Sequence, residues 1–240
     1  MYIGKTVGVI LAAAGSGVRA GGNARKQFLE IASKPVWIHT LEKFQQCSHV
    51  DFIVVAGPSN AVEDMKRAAP TSKLIKLSIV RGGEHRQDSV RAALDELRKF
   101  TPEIILVHDA VRPFVSHTLI EAVLEGALAF GAAVPALHPK ETVKFSNGNN
   151  FVEATPWRNS LWLVQTPQGF QASLLYRAFE KASRDGFYGT DDSSLVERTG
   201  IKVKIVDGAY ENLKITTSED LLLAEFLMRK RGLFSLDFLT

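Results

Sequence analysis

The stretch GVILAAAGSGVRAGGNARKQF, from Gly8 to Phe28, decides how this chain is read. An apolar run from Gly8 to Ala14 leads into Gly15-Ser16-Gly17, and cationic side chains follow at Arg19, Arg25 and Lys26. A short apolar run that ends in small residues and glycine has the form of a buried strand entering a tight turn. That turn can be a dinucleotide fingerprint, a phosphate cradle of another design, or a solvated surface loop.

The fingerprint has a formal match, because Gly15-Ser16-Gly17-Val18-Arg19-Ala20 fits G-x-G-x-x-G/A after a strand. Its context is missing. The second strand should end near an acid that holds a ribose hydroxyl, yet this one ends Val55-Ala56-Gly57-Pro58 and has Asp51 at its start. Gly21-Gly22-Asn23 would also break the helix that must open at the second glycine. The pattern G-x-x-x-x-G-K-[ST] is absent. A different cradle fits better. The small residues Ala12 to Gly17 admit close backbone approach and present successive N–H groups to an anion. Arg19 adds a planar fork and Lys26 a compact point charge at the same mouth. Gly21 to Asn23 have the composition of a segment that closes over a ligand.

Outward from this turn, short β-branched runs alternate with helical patterns. Strands are predicted at Thr6–Leu11, Phe52–Ala56, Ile75–Val80, Ile104–His108, Gly131–Ala136, Leu163–Thr166 and Lys202–Asp207. Helices are predicted at Pro35–Gln46, Ala61–Ala69, Arg86–Phe100, Ser116–Phe130, Gln171–Asp185, Asp191–Thr199 and Ser218–Lys230, with Ser116 and Ser218 read as caps. Near-continuously apolar strands separated by helices imply an α/β fold with a mainly parallel sheet covered on both faces. One region breaks the rhythm. His138 to Trp162 alternates through Thr142, Val143 and Phe145 and turns at Ser146-Asn147-Gly148-Asn149-Asn150, which predicts a hairpin arm lying on its own domain or on a second subunit. With no linker or repeat, residues 1–240 read as one domain bearing an arm at about 138–162.

Composition limits the function. The chain has 240 residues, and a net charge of +3 is too small to argue for nucleic acid, though converging cations suit an anionic small molecule. A single cysteine, Cys47, excludes an internal disulfide framework and fits a reducing, cytoplasmic setting. No run approaches the roughly 20 apolar residues needed to span a bilayer. The histidines lack metal-ligand spacing, and no nucleophile elbow occurs.

The stretch LVHDAVRPF places Asp109 at the carboxyl end of its strand, the edge where parallel sheets bind ligands. One carboxylate plus substrate phosphates is a usual way to hold Mg²⁺. An ion pair with Arg112 or a cap on a backbone N–H is the structural alternative. VRGGEHRQDSV offers a Gly82-Gly83 turn able to read a base edge, with Ser89 at the next helix start, and YENLKITTSED offers Lys214 as a further cation.

The ordered set LAAAGSGVR…RKQF, GGEHRQDSV, VHDAVRPF, KETVK, WRNSLWLVQTPQGF, GFYGTDDSSLVE and NLKITTSEDLLLAE resembles the 2-C-methyl-D-erythritol 4-phosphate cytidylyltransferases over roughly Thr6 to Phe226. The resemblance implies a Rossmann-like α/β sheet with a projecting β-hairpin arm. It implies transfer of CMP from CTP to methylerythritol phosphate, releasing pyrophosphate, in non-mevalonate isoprenoid synthesis. It places Ala13, Ala14, Gly15 and Gly17 at the CTP site, with Arg19, Lys26 and Lys214 on the phosphates. Gly83, Glu84 and Ser89 become cytosine readers, Ala110 a neighbour of the ribose, and Asp109 the ligand of Mg²⁺. Arg112, Thr142, Arg158 and Thr166 fall around the sugar phosphate. In the family the arm crosses to a second subunit, which implies a homodimer whose Thr142 and Arg158 complete the partner's site. Where the family often has Pro-Ala-Ala-Gly, this chain has Ala12-Ala13-Ala14-Gly15 and so loses one fixed φ. A cytidylyltransferase for ribitol 5-phosphate or another polyol phosphate is the nearest alternative, and a non-catalytic nucleotide-binding module is the alternative of another class.

Overall fold

The structure is a computed structural model, and it describes residues 1–15, 25–72 and 75–236, the last six of these by backbone alone. In chain order the elements are β1 (Val7–Ala12), β2 (Glu30–Ile31), β3 (Lys34–Pro35), α1 (Val36–Gln45), β4 (Phe52–Gly57), α2 (Val62–Ala68) and β5 (Lys76–Arg81). Then come α3 (Arg86–Leu97), β6 (Ile104–Asp109), α4 (His117–Phe130), β7 (Ala132–Leu137), β8 (Phe145–Ser146) and β9 (Val152–Ala154). The chain continues with β10 (Leu163–Val164), β11 (Gln168–Gln171), α5 (Ala172–Arg184), α6 (Asp192–Glu197), β12 (Lys204–Asp207) and α7 (Ser218–Leu236).

One sheet runs β10-β7-β11-β6-β1-β4-β5, with β12 also paired to β7. β1 is parallel to β4 and β6, β4 to β5, and β7 to β12, whereas β10 and β11 run antiparallel. The fold is the α/β, mainly parallel Rossmann-like arrangement. β1, β4 and β6 are buried along nearly their whole length because helices cover both faces. One apolar cluster joins Val9, Leu41, Ile53, Leu106 and Val123, and a second on the opposite face joins Ile10, Val54, Leu94, Ile105 and Leu175. The alternation of Val9 and Ile10 between the two clusters is the period of a strand.

The predicted strands and helices recur with ends shifted by a few residues; the short pair β2 and β3 was not anticipated, nor was β11. Pro167 and Gly169 hide that strand in TPQGFQ. Gly169 is required there, since a Cβ would stand 2.7 Å from Cγ1 of Val123 on α4. Ser116 caps α4, accepting the N–H of Leu119 at 3.1 Å. At α7 the cap is Thr217 rather than Ser218: its hydroxyl accepts the N–H of Asp220 while Asp220 accepts the N–H of Thr217. The predicted arm is present as β8 and β9, antiparallel and exposed, and it holds Phe145, Phe151 and Trp157 on its surface. Among the described residues no helix is long and apolar enough to cross a membrane.

Candidate active site

Parallel pairing aligns Ala12, Asp109 and Ala56 across three neighbouring strands, so the turn after β1 and the carboxylate ending β6 share one sheet edge. The turn is tied down on both sides. The N–H of Ala13 donates to the carbonyl of Ala56 at 2.9 Å, and that of Ala110 donates to the carbonyl of Ala12 at 3.1 Å. Gln27, 3% exposed, donates its amide to the carbonyls of Ala13 at 2.6 Å and Gly15 at 3.1 Å. That pair of bonds fastens the 3₁₀ turn Lys26–Phe28 to the glycine turn and sets Lys26 in the same wall.

The opposite wall is the loop after β5. Gly82 donates its N–H to the carbonyl of Gly57 at 2.7 Å. The Ser89 hydroxyl accepts the N–H of Gly83 at 3.1 Å and donates to the carbonyl of His85 at 3.0 Å. Ser89 therefore shapes the loop, and its hydroxyl is engaged there. Between the walls lies a cavity of about 190 Å³ that brings together Ala13, Ala14, Gly15, Lys26, Gly83, Glu84, Ser89, Asp109 and Lys214. Lys214 reaches it because Ile215 beside it is buried with Ile31, Val36 and Phe114, and bonds the carbonyl of Val111 at 2.9 Å.

Asp109 is the electrostatic centre. Its Oδ1 lies 3.2 Å from Nε of Arg86, and its Oδ2 lies 2.9 Å from Nζ of Lys214 and 3.5 Å from Nε of Arg112. Burial alone would raise its pKa, but Arg86, Lys214 and Arg112 outweigh burial and hold the carboxyl well below the ordinary range. The ion pair with Arg112 weighed from the sequence is thus present, alongside two further cations. Arg86 in turn reaches Asp192, which is 1% exposed, with Nη1 2.8 Å from Oδ2.

Other residues named from the sequence lie outside the cavity wall. Arg112 and Thr166 are buried beneath Asp109. Arg112 donates Nη1 to the carbonyl of Asn212 at 2.8 Å, and Thr166 accepts the N–H of Asp109 at 3.1 Å. Ala110 is fully buried, and its carbonyl accepts the Thr40 hydroxyl at 2.8 Å. Thr142 and Arg158 sit exposed on the arm, where Arg158 donates to the carbonyl of Lys140 at 3.1 Å. Gly17, Arg19 and the segment from Gly21 to Asn23 lie outside the described residues. Three participants escaped the sequence reading. Gln27 looks like a solvated loop residue and Arg86 like a surface cation. Asp192 adjoins a second acid, Asp191, and that doubling at a helix start is the one signal that sequence offers.

Among the described residues no three His, Cys, Asp or Glu side chains group as a metal site. A lone carboxylate whose Oδ2 meets an exposed cavity-wall lysine still matches a hard cation that arrives with phosphate oxygens and water as its other ligands. Asp109 fits Mg²⁺ in that way.

The family model for 2-C-methyl-D-erythritol 4-phosphate cytidylyltransferase matches residues 7–230. A protein of that name from Symbiobacterium thermophilum is 45% identical over 227 residues, covering 94% of both chains. Another, from Lysinibacillus sphaericus, is 42% identical over 94% of this chain and 96% of its own. The crystal structure of 4-diphosphocytidyl-2C-methyl-D-erythritol synthase from Anaerococcus prevotii superposes with a TM-score of 0.83 at 32% identity, covering 94% of this chain and 99% of that one. Matched along nearly its whole length by the family model and by these relatives, on a shared fold, this chain belongs to the 2-C-methyl-D-erythritol 4-phosphate cytidylyltransferase family.

Proposed function

We propose that this cytidylyltransferase transfers CMP from CTP to 2-C-methyl-D-erythritol 4-phosphate and releases pyrophosphate, as a step of isoprenoid precursor synthesis. One observation carries the reading: the glycine turn, the Gly83 loop, Asp109, Lys26 and Lys214 line a single cavity. Triphosphate lies on the turn from Ala13 to Gly15, and cytosine meets the backbone edge at Gly83 and Glu84. The phosphate oxygen of the acceptor attacks the α-phosphorus in line, and pyrophosphate departs opposite. A phosphate monoester is already ionised near neutral pH, so no general base is required.

The difficulty is uniting two anions. Lys26 and Lys214 offset their repulsion and stabilise charge that grows on the α-phosphate and the leaving group. Asp109, paired with Arg86 and Arg112, is the residue that would hold Mg²⁺, which when bound supplies Lewis-acid charge neutralisation. Buried Arg112 and Thr166 act by fixing Asp109. Thr142 and Arg158, set apart on an exposed arm, suit a homodimer in which each arm completes the other subunit's acceptor site. We take residues 1–240 as one nucleotidyltransferase domain working in the cytoplasm, a setting that suits the buried free thiol of Cys47.

Pyrophosphate release with CTP, Mg²⁺ and each polyol phosphate tests the reading. Release with methylerythritol phosphate and not with ribitol 5-phosphate is the expected result. Release with ribitol 5-phosphate alone would transfer the assignment to that substrate, and none with either would favour a nucleotide-binding module.

A further inference from the structure

The segment GFYGTDDSS, Gly186 to Ser194, lies behind the cavity and has no part in the reaction as described so far. It is fastened from two sides. On one, Asp191 Oδ1 accepts the N–H of Ser194 at 2.9 Å, and its Oδ2 accepts the amide of Gln168 at 2.7 Å, joining α6 to β11. On the other, Gln87 donates to the carbonyl of Phe187 at 2.9 Å and accepts the N–H of Gly189 at 2.9 Å, joining the segment to α3. None of these bonds involves Asp192 or Arg86. The backbone that carries Asp192 is therefore set independently of the ion pair those two residues make.

Arg86 opens α3 and lines the cavity, which makes it a candidate phosphate ligand at first sight. Its guanidinium is directed elsewhere. Nε lies 3.2 Å from Asp109 Oδ1, and Nη1 lies 2.8 Å from Asp192 Oδ2 as an ion pair that is off the line of a hydrogen bond. The charge is divided between two buried carboxylates. The planar fork lets one side chain span both, which a lysine ammonium on its single point cannot do. Lys214 and Arg112 both approach Asp109 from Oδ2, and Arg86 is the cation on Oδ1. Without a fixed Arg86, no other side chain among the described residues holds Oδ1 against rotation of the carboxylate.

We propose that Asp192 is a positioning residue that acts through Arg86, holding the Asp109 carboxylate in the orientation that receives the cation accompanying the nucleotide. The inference rests on the reading of Asp109 given above. It predicts that loss of the Asp192 charge loosens Arg86, lets Asp109 turn, and weakens cation binding while the nucleotide walls stay intact.

The experiment uses full-length Asp192→Asn, Arg86→Lys, Arg86→Met and the Asp192→Asn/Arg86→Met double variant. Mn²⁺ binding in the presence of CTP is followed by electron paramagnetic resonance without acceptor, and turnover is followed as a function of Mg²⁺. We expect Asp192→Asn and Arg86→Lys each to weaken Mn²⁺ binding about tenfold or more and to raise the half-saturating Mg²⁺ in proportion, with turnover restored by excess Mg²⁺. A merely structural defect would not respond to the metal. The double variant should be no worse than Arg86→Met alone, because residues acting as one unit are not additive. Mn²⁺ binding within twofold of wild type in Asp192→Asn, or additive losses in the double variant, would overturn the proposal. If Asp192→Asn fails to fold, Arg86→Lys alone decides, since it keeps the charge but cannot bridge both acids. Wild-type protein that binds no Mn²⁺ with CTP would overturn the reading of Asp109 itself, an outcome separate from an unchanged Asp192→Asn.

Discussion

The Thr166 hydroxyl lies 3.0 Å from Nδ1 of His108, a neutral ring whose tautomer is set by its other side. A carbonyl can only accept, so Nε2, facing the carbonyl of Arg112, carries the ring proton, and Nδ1 accepts the Thr166 hydroxyl, which itself accepts the Asp109 N–H at 3.1 Å. Nε2 then donates to the carbonyl of Arg112 at 3.1 Å. One hydroxyl thus couples the backbone of Asp109 to a buried imidazole. Thr166→Val removes that hydroxyl and leaves a buried N–H and a ring nitrogen unsatisfied. We expect a stability loss of about 1–3 kcal/mol in urea unfolding, with turnover falling alongside, and Thr166→Ser restoring both.

Burial holds His108 neutral and lowers its pKa from 6.5 to about 3, with Asp109, Arg112 and Arg86 as its charged neighbours. Below pH 6.5 the unfolded chain takes up a proton that the folded chain refuses. The contribution of His108 to stability is therefore complete above pH 6.5 and is lost as pH falls toward 3, at about 1.4 kcal/mol per pH unit. Urea midpoints measured in EDTA at pH 7, 6 and 5 should decline along this slope in wild type. The decline should be shallower in His108→Gln. Parallel declines in the two proteins would refute the assignment.

A methyl group separates two uses of glycine, one in the cavity wall at Gly15 and one in the loop beside it at Gly82. At Gly15 a Cβ would meet no described atom within 4 Å, so Gly15→Ala should leave the urea midpoint unchanged. Any rise in KM for CTP then reports how closely the nucleotide approaches the turn, and we expect about tenfold. At Gly82 a Cβ would overlap that of Ala14 and stand 2.8 Å from the Ser89 hydroxyl. Gly82→Ala should raise KM for CTP and also lower the urea midpoint, because the loop must move off the turn.

Lys26→Ala and Lys214→Ala each remove one preorganised charge from the cavity. We expect each to lower kcat by a factor on the order of a hundred to a thousand, about 3–4 kcal/mol, with the circular dichroism spectrum unchanged. Near-normal pyrophosphate release from either variant would remove that lysine from the mechanism.

The legible parts of the chain are those where one local pattern has one physical meaning. Val7 to Leu11 and Ile104 to Val107 read as strands because sheets covered on both faces need continuous apolar runs. The carboxyl-end rule for parallel strands puts Asp109 beside the glycine turn, as the register of β1 and β6 has it. Illegible parts take their meaning from distant partners. Gln168 and Gln171 sit in a strand that pairs β6 with β7, yet Pro167 and Gly169 signal a turn locally. Arg86 reads as a solvated helix start until Asp109, 23 residues away, and Asp192 are seen to enclose it. Nothing local to Thr166 shows that its hydroxyl meets His108, 58 residues away in sequence. Sequence reports what a side chain is, and only the fold reports which neighbour occupies it.

The position of Cys47 has a practical consequence. It is the sole thiol in the chain, 3% exposed, and burial pushes its pKa up from 9.0. An alkylating reagent can modify it only in molecules that have opened. Its labelling rate is therefore a built-in clock for opening, readable by mass spectrometry with no introduced probe. A bound nucleotide that holds the molecule shut would slow that clock in proportion to its occupancy.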